Sequence, residues 1–145
     1  MKLSTKARYG LRAVIEIAKT YGSQVPAKRK DIARIQEISD SYLENILIVL
    51  KNNRILETTR GASGGYVLCR EPSKITVYEI VTALEGPLDF VDCVGNAASC
   101  NKTATCAAHT VWKELADHWR EALEKLSLKD MLDREKSLGA HNYSI

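Results

Sequence analysis

No run in this chain approaches the ~18 consecutive apolar residues of a membrane-spanning helix, so no membrane partner is expected. The opening MKLSTKARYG lacks the apolar segment of a signal peptide. Paired cysteines at C-x₂₋₄-C spacing, the usual mark of structural zinc, are missing. The one glycine-rich stretch, GASGGY, lacks a Walker lysine and a following helix, which sets a nucleotide-phosphate loop aside. Beside the cysteines the only candidate acid or base is Asp92, and no substrate-pocket signature accompanies it. The chain is not expected to be an enzyme.

The composition that remains is globular, with 45% apolar and 27% charged residues in 145. That length suits one modest domain, or a small domain plus an assembly element. A net charge of +3 hides an asymmetry. Residues 1–70 carry thirteen Lys/Arg against six Asp/Glu, a net of +7, and residues 71–145 carry eight against twelve, a net of −4. The basic half is suited to a polyanion.

Three of the four cysteines fall between Asp92 and His109, in DCVGNAASCNKTATCAAH. Cys93, Cys100, Cys106 and His109 are spaced C-x₆-C-x₅-C-x₂-H, among small and polar residues that wrap closely but build no core. A disulfide would strand one thiol and leave the histidine unexplained, so four soft or borderline ligands point to a metal centre. Spacing alone leaves the metal open. Ligands spread this widely suit an iron–sulfur cluster, whose irons are reached from different sides. Exchanging one thiolate for a neutral imidazole raises the reduction potential and makes that bond sensitive to protonation. Clustered thiols without an export signal indicate a reducing cytoplasm.

Along the chain, Ser4 or Thr5 caps a helix to about Tyr21 with Leu11, Val14, Ile15 and Ala18 as its apolar stripe. Lys2, Lys6, Arg8 and Arg12 crowd its positive end, against the macrodipole, which favours a role in phosphate contact. In KRKDIARIQEISDSYLENILIVLKNNRIL a short helix is followed by a tight connection at Gln36 to Asp40. A longer helix then opens at Ser41 and runs to about Lys51, completing a helix-turn-helix preceded by the basic Lys28. Leu43, Ile46, Leu47 and Leu50 fall on its buried side, and Ser41, Glu44, Asn45, Ile48 and Lys51 on the other. Glu44 is expected to accept from cytosine N4. Ile48 either meets thymine methyls or sugar, or packs on protein.

Ile55–Thr59 and Tyr66–Leu68 form a hairpin whose turn, Arg60 to Gly65, brings Gly64 and Gly65 close to a duplex and Arg60 to a narrow minor groove. Cys69 reads as a small buried thiol. Val77 to about Glu85 is a further helix, stopped by Gly86–Pro87. Beyond the cysteines, Ala108, Trp112, Leu115, Trp119, Ala122 and Leu126 recur at alternating steps of four and three. Such a heptad seam predicts a homodimer. A short helix from Ser127 to about Lys136 and a loose tail complete the chain. The fold class is therefore mainly α: a winged helix-turn-helix DNA-binding region over 1–76, then over 77–145 a cluster-binding loop (86–109) and dimerisation helices.

The opening KLSTKARYGLRA, the segment ISDSYLENIL, the wing TRGASGGYVL and the C…C…C-x₂-H loop resemble cluster regulators of the IscR type. These belong to the Rrf family of winged-helix transcription factors. The resemblance covers roughly residues 1–135. It implies a homodimeric repressor/activator on double-stranded operator DNA. Such a protein receives a [2Fe–2S] cluster from the cluster assembly machinery and controls genes of cluster biogenesis. Cys93, Cys100, Cys106 and His109 match the cluster ligands, Ser41, Tyr42, Glu44 and Asn45 the start of the DNA-reading helix, and Arg60 the wing arginine. Three departures stand out. The first cysteine interval is six residues where the best-known pattern has five. Asn52–Asn53–Arg54 replaces a turn that usually holds glycine, so an asparagine is expected to take the left-handed conformation. The face with Ile48 and Val49 is more apolar than usual. A nitric-oxide sensor with a [4Fe–4S] cluster, which does not use this histidine, and a thiol sensor without a cluster are the alternatives.

Overall fold

The computed structural model describes residues 3–23 and 25–142; the expected phosphate contact Lys2 lies outside the described residues. Helix α1 (Thr5–Ala18) starts where expected, because Ser4 Oγ accepts from the backbone N–H of Lys6 (3.1 Å) and Ala7 (3.3 Å). It is buried on more than one side. Ala7, Ala13, Val14, Ile17 and Ala18 are all covered, while Leu11 and Ile15 are only partly so. Gly10 is buried where α1 crosses α4 (Val77–Glu85), and a Cβ there would collide with the Leu84 side chain.

Helices α2 (Arg29–Gln36) and α3 (Asp40–Asn52) form the expected helix-turn-helix. Between them Glu37 adopts the left-handed conformation (φ 53°). The second helix opens at Asp40, one residue before the expected Ser41, because Ser39 is the cap: its Oγ accepts from Tyr42 N–H at 3.4 Å. The buried face of α3 is the predicted one, with Leu43, Ile46, Leu47 and Leu50 fully covered. After α3 the left-handed residue is Arg54 (φ 56°) rather than an asparagine; Asn53 stays at φ −89° as the helix cap.

Strands β1 (Leu56–Thr59) and β2 (Gly65–Leu68) pair antiparallel from Leu56↔Leu68 to Thr59↔Gly65. A bridge between Ala27 and Tyr66 ties the chain entering α2 onto the outer edge of this wing. Cys69 is exposed, not buried as expected. Strand alternation supplies the reason: Leu68 points into the core, so the next side chain points out.

A capping box opens α4, with Thr76 Oγ1 accepting from Glu79 N–H and Glu79 Oε2 accepting from Thr76 N–H at 2.8 Å. The short helix α5 (Asp92–Gly95) follows, then α6 (Ala107–Glu124) and α7 (Leu128–Asn142). Val77 N–H donates to Leu126 O and Leu128 N–H to Ile75 O, both at 2.8 Å, so the α6–α7 turn is pinned beside the start of α4. Ser127 and Asp130 cap α7 reciprocally, and these bonds hold the Asp130 carboxyl below its usual range. That helix runs to Asn142, so Ser137–Asn142 is helical where a loose tail was expected. One core holds Ala13, Leu47, Ile80, Leu84 and Leu128 together, and therefore crosses the expected boundary between residues 76 and 77.

The heptad seam of α6 divides in two. Trp119 and Leu126 pack with Ala7, Val77, Val81 and Leu88 of the same chain, joined by Leu123, and Ala116 is buried. Trp112 (40% exposed), Leu115 (43%) and Val111 (57%) face outward, as does Ala122. Within the chain α4 covers the inner part of the stripe, and the outer part stays exposed.

The α1–α4 crossing makes a first prediction. Gly10→Val is expected to lower stability in urea by about 1–3 kcal/mol through overpacking. Gly10→Ala should cost less, since the Leu84 methyl can swing aside. An unchanged urea midpoint for the valine variant would refute the close contact.

Candidate nucleic-acid interface and metal loop

On α3 the side chains of Ser41, Glu44, Asn45, Ile48 and Lys51 are all exposed, as the periodicity predicts. Tyr42 is different: it is half-buried and meets the Tyr9 ring edge-on, with centroids 6.1 Å apart. Its ring supports the helix as much as it offers a surface.

The cations of α1 also divide. Arg8 is exposed and donates to Thr5 Oγ1 at 3.2 Å, and Lys6 is half-buried. Arg12 is committed internally. Its Nε donates to Gln36 Oε1 (2.7 Å), its Nη2 to Gln36 O (2.9 Å), and its guanidinium lies 5.4 Å from the Tyr9 ring centroid. Its position at the opening of α1 therefore serves the helix-turn-helix corner rather than a phosphate.

One shallow cleft of about 570 Å³ is lined by Lys28, Arg29, Lys30, Gly64, Gly65 and Tyr66. It joins the basic entry to α2 with the wing tip, two regions the sequence reading treated separately. The wing glycines have an internal reason as well as an external one. A Cβ on Gly64 would collide with Thr59 O, and one on Gly65 would stand 2.5 Å from Ala27 O. Arg60, at the start of this turn, is exposed.

Arg29 was missed by sequence reading. Its Nε and Nη2 donate to Asp40 Oδ1 and Oδ2 at 2.9 and 2.8 Å, and Nη1 lies 2.6 Å from Glu44 Oε1. The clue available was only a basic run eleven residues before an acidic one, and it carries no geometry by itself.

The cysteine loop is built from local turns. Asn96 N–H donates to Asp92 O (2.9 Å), Ser99 N–H to Asn96 O (3.0 Å) and Thr105 N–H to Lys102 O (3.1 Å). Cys93 lies in α5, Cys100 ends the 3-10 turn Ala97–Ser99, and Cys106 is the N-cap residue of α6, with His109 in its first turn. All three thiols are free and half-buried. His109 Nδ1 is buried and has no hydrogen-bond partner. Among the described residues, no three His, Cys, Asp or Glu side chains are gathered closely enough to hold a metal ion. The donor chemistry suits a thiolate–imidazole metal site, and the orphaned ring nitrogen needs a partner.

Residues 3–134 match the family described as "Rrf2: Iron-dependent Transcriptional regulator". The chain belongs to the Rrf2 family. It is 38% identical over 142 residues to the protein rrf2 of Nitratidesulfovibrio vulgaris, covering 98% of this chain and 93% of that one. The solved structure of CymR, described as the global cysteine regulator of B. subtilis, is similar at TM-score 0.77 and 36% identity, covering 92% and 98% of the two chains. T. potens IscR is similar at TM-score 0.75 and 34% identity, covering 93% and 88%. The resemblance to IscR in particular thus broadens to the Rrf2 family, whose members include both regulators. Rrf2 proteins are transcription regulators and not enzymes, and the winged helix is their DNA-binding part. Among the described residues no helix is long and apolar enough to cross a membrane.

The exposed wing arginine gives a second prediction. Arg60→Ala is expected to weaken binding by about 1–3 kcal/mol at duplexes with a narrow A·T-rich minor groove and by less at G·C-rich ones. Fluorescence anisotropy on matched duplexes measures this, and equal losses on both would rule out groove reading by Arg60.

Proposed function

We propose that this Rrf2 protein is a cytoplasmic homodimer that senses iron–sulfur status and controls genes of cluster biogenesis at double-stranded operators. Cys93, Cys100, Cys106 and His109 would hold a [2Fe–2S] cluster received from the assembly machinery. The observation that carries this reading is the buried, partnerless Nδ1 of His109 in the same loop as three free, half-buried thiols. A buried polar atom left unsatisfied costs about 1–3 kcal/mol, which a metal bond would remove. Cys106 stands at the N-terminus of an eighteen-residue helix, where an anionic ligand set is favoured. When bound, the cluster supplies a redox- and oxygen-sensitive link among four points of the loop. The protein's own residues supply the histidine that raises its potential.

The outward patch of Val111, Trp112 and Leu115 supports self-association, since a second copy would cover the part of the seam that this chain leaves exposed.

A second reading, thiol sensing without a cluster, draws on the ligands' not being gathered into a site and on the likeness to a cysteine regulator. Cys69 does not help it. Although the residue is exposed, partial desolvation of its sulfur, followed by the Glu57 charge, pushes its pKa up and leaves less reactive thiolate.

Ultraviolet–visible spectra of anaerobically purified protein, with iron and acid-labile sulfide counts, separate the two readings. Cys93→Ala, Cys100→Ala and Cys106→Ala are each expected to abolish the cluster bands. Their unfolding free energies should stay within about 0.5 kcal/mol of apo wild type, because residues 92–106 contribute no side chain to the core. His109→Cys should keep a cluster at lower potential. Stoichiometric iron and sulfide in the triple alanine variant would overturn the ligand set.

A further inference from the structure

The two carboxylates on the opening half of α3 share one counter-ion. Asp40 and Glu44 are a helical turn apart, with side chains 45% and 49% exposed, and the Arg29 guanidinium bonds both. Its fork donates two N–H groups to Asp40, and its Nη1 forms an ion pair with Glu44 Oε1 at 2.6 Å. Among the described residues, Glu44 Oε2 makes no bond. Arg29 is less exposed than either partner, at 29%, and it also lines the cleft beside the wing.

This arrangement bears on how α3 meets DNA. Two uncompensated carboxylates on a recognition surface repel phosphates, and an unanchored glutamate is a mobile charge that selects poorly among bases. Pairing removes half of that charge and fixes one oxygen of Glu44. The free oxygen then faces its surroundings as an acceptor of set position. In the major groove the matching donor is the cytosine N4 amine. A lysine at the same place would offer a point charge and could not engage both carboxylates as a planar fork.

We propose that Arg29 is a positioning residue that sets base specificity at the DNA interface, by clamping Asp40 and Glu44 so that Glu44 reads a cytosine amine. The proposal deepens the DNA-binding reading of α3 and is independent of the cluster. Arg29 is accordingly not a phosphate contact, although it belongs to the basic run Lys28–Lys30.

The test starts from duplexes recovered by wild-type protein from a random pool. Affinities are then measured by anisotropy for wild type, Arg29→Ala, Arg29→Lys, Glu44→Ala and the Arg29→Ala/Glu44→Ala double variant. Each is measured on duplexes changed one base pair at a time and at several salt concentrations. Arg29→Ala is expected to reduce wild-type discrimination about tenfold at the same base pair where Glu44→Ala reduces it. Arg29→Lys should not restore it, and the double variant should discriminate no worse than Glu44→Ala alone. Circular dichroism of each variant confirms folding. Two results would overturn the proposal. One is an equal loss on every duplex with a log-affinity against log-salt slope shallower by about 0.9, which marks a phosphate contact. The other is unchanged discrimination in Arg29→Ala.

Discussion

The buried carboxylate of Glu16 is the constraint on which the DNA-binding half depends. Only 8% exposed, it is the buried charged side chain of the described core. Its Oε1 accepts from Lys19 Nζ at 2.8 Å and from Gln36 Nε2 at 2.6 Å. Lys19 also reaches Glu135 on α7 at 3.0 Å, and Gln36 takes the Arg12 guanidinium on its side-chain and backbone oxygens. One polar chain therefore runs from α7 through α1 to the last residue of α2. From there it continues through Arg12 and Tyr9 to Tyr42 of the recognition helix. A charge this far from water is tolerated only when it is paired and hydrogen-bonded. That requirement fixes Gln36, and so fixes the corner at Glu37, whose left-handed backbone is unusual for a residue with a Cβ. The angle between α2 and α3 is set by a polar network as well as by the leucines beneath it.

Charge is sorted by the same logic. Arg12 looks, in sequence, like a member of a phosphate-seeking set, and Arg29 belongs to the basic run Lys28–Lys30. Both are instead committed within the protein, one to the corner and one to the acidic face of α3. What remains for a polyanion includes the exposed Arg8, Lys28, Lys30, Lys51 and Arg60. A count of basic residues overstates the phosphate contacts, because each internal pair removes a cation from the surface field.

Much of this was legible in the chain because it depends on local spacing. The buried leucines of α3 and its exposed polar stripe follow from 100° per residue, and the wing follows from two short apolar runs around a glycine-rich turn. Several misreadings share a cause: competition between neighbours that spacing cannot rank. Ser39 and Ser41 are both good caps, and the observed cap lies two residues after the left-handed Glu37. The seam of α6 is periodic, but periodicity does not say which copy of the chain covers it. Cys69 is small and apolar enough to be buried, yet the inward Leu68 had already taken that direction. Arg29 was invisible because its partners lie eleven and fifteen residues away on another helix.

The cysteine loop shows the limit from the other side. Its spacing is what suggests the proposed ligand set, whereas among the described residues no three such side chains are gathered closely enough to hold a metal ion. The two facts agree physically. A segment of small polar residues held by a few local turns gains almost nothing from burial, so the protein alone has little energy with which to draw three thiols and an imidazole together. Metal bonds would supply that energy, as they do in small metal-dependent domains. The rest of the fold does not depend on it, because the core closes through α4, α6 and α7 without a side chain from residues 92–106. A scaffold of this kind can carry different sensing chemistry on the same winged helix, which is why likeness of fold reaches regulators with different names. On the proposed reading, the loop decides what this chain senses, through the partner that satisfies His109 Nδ1.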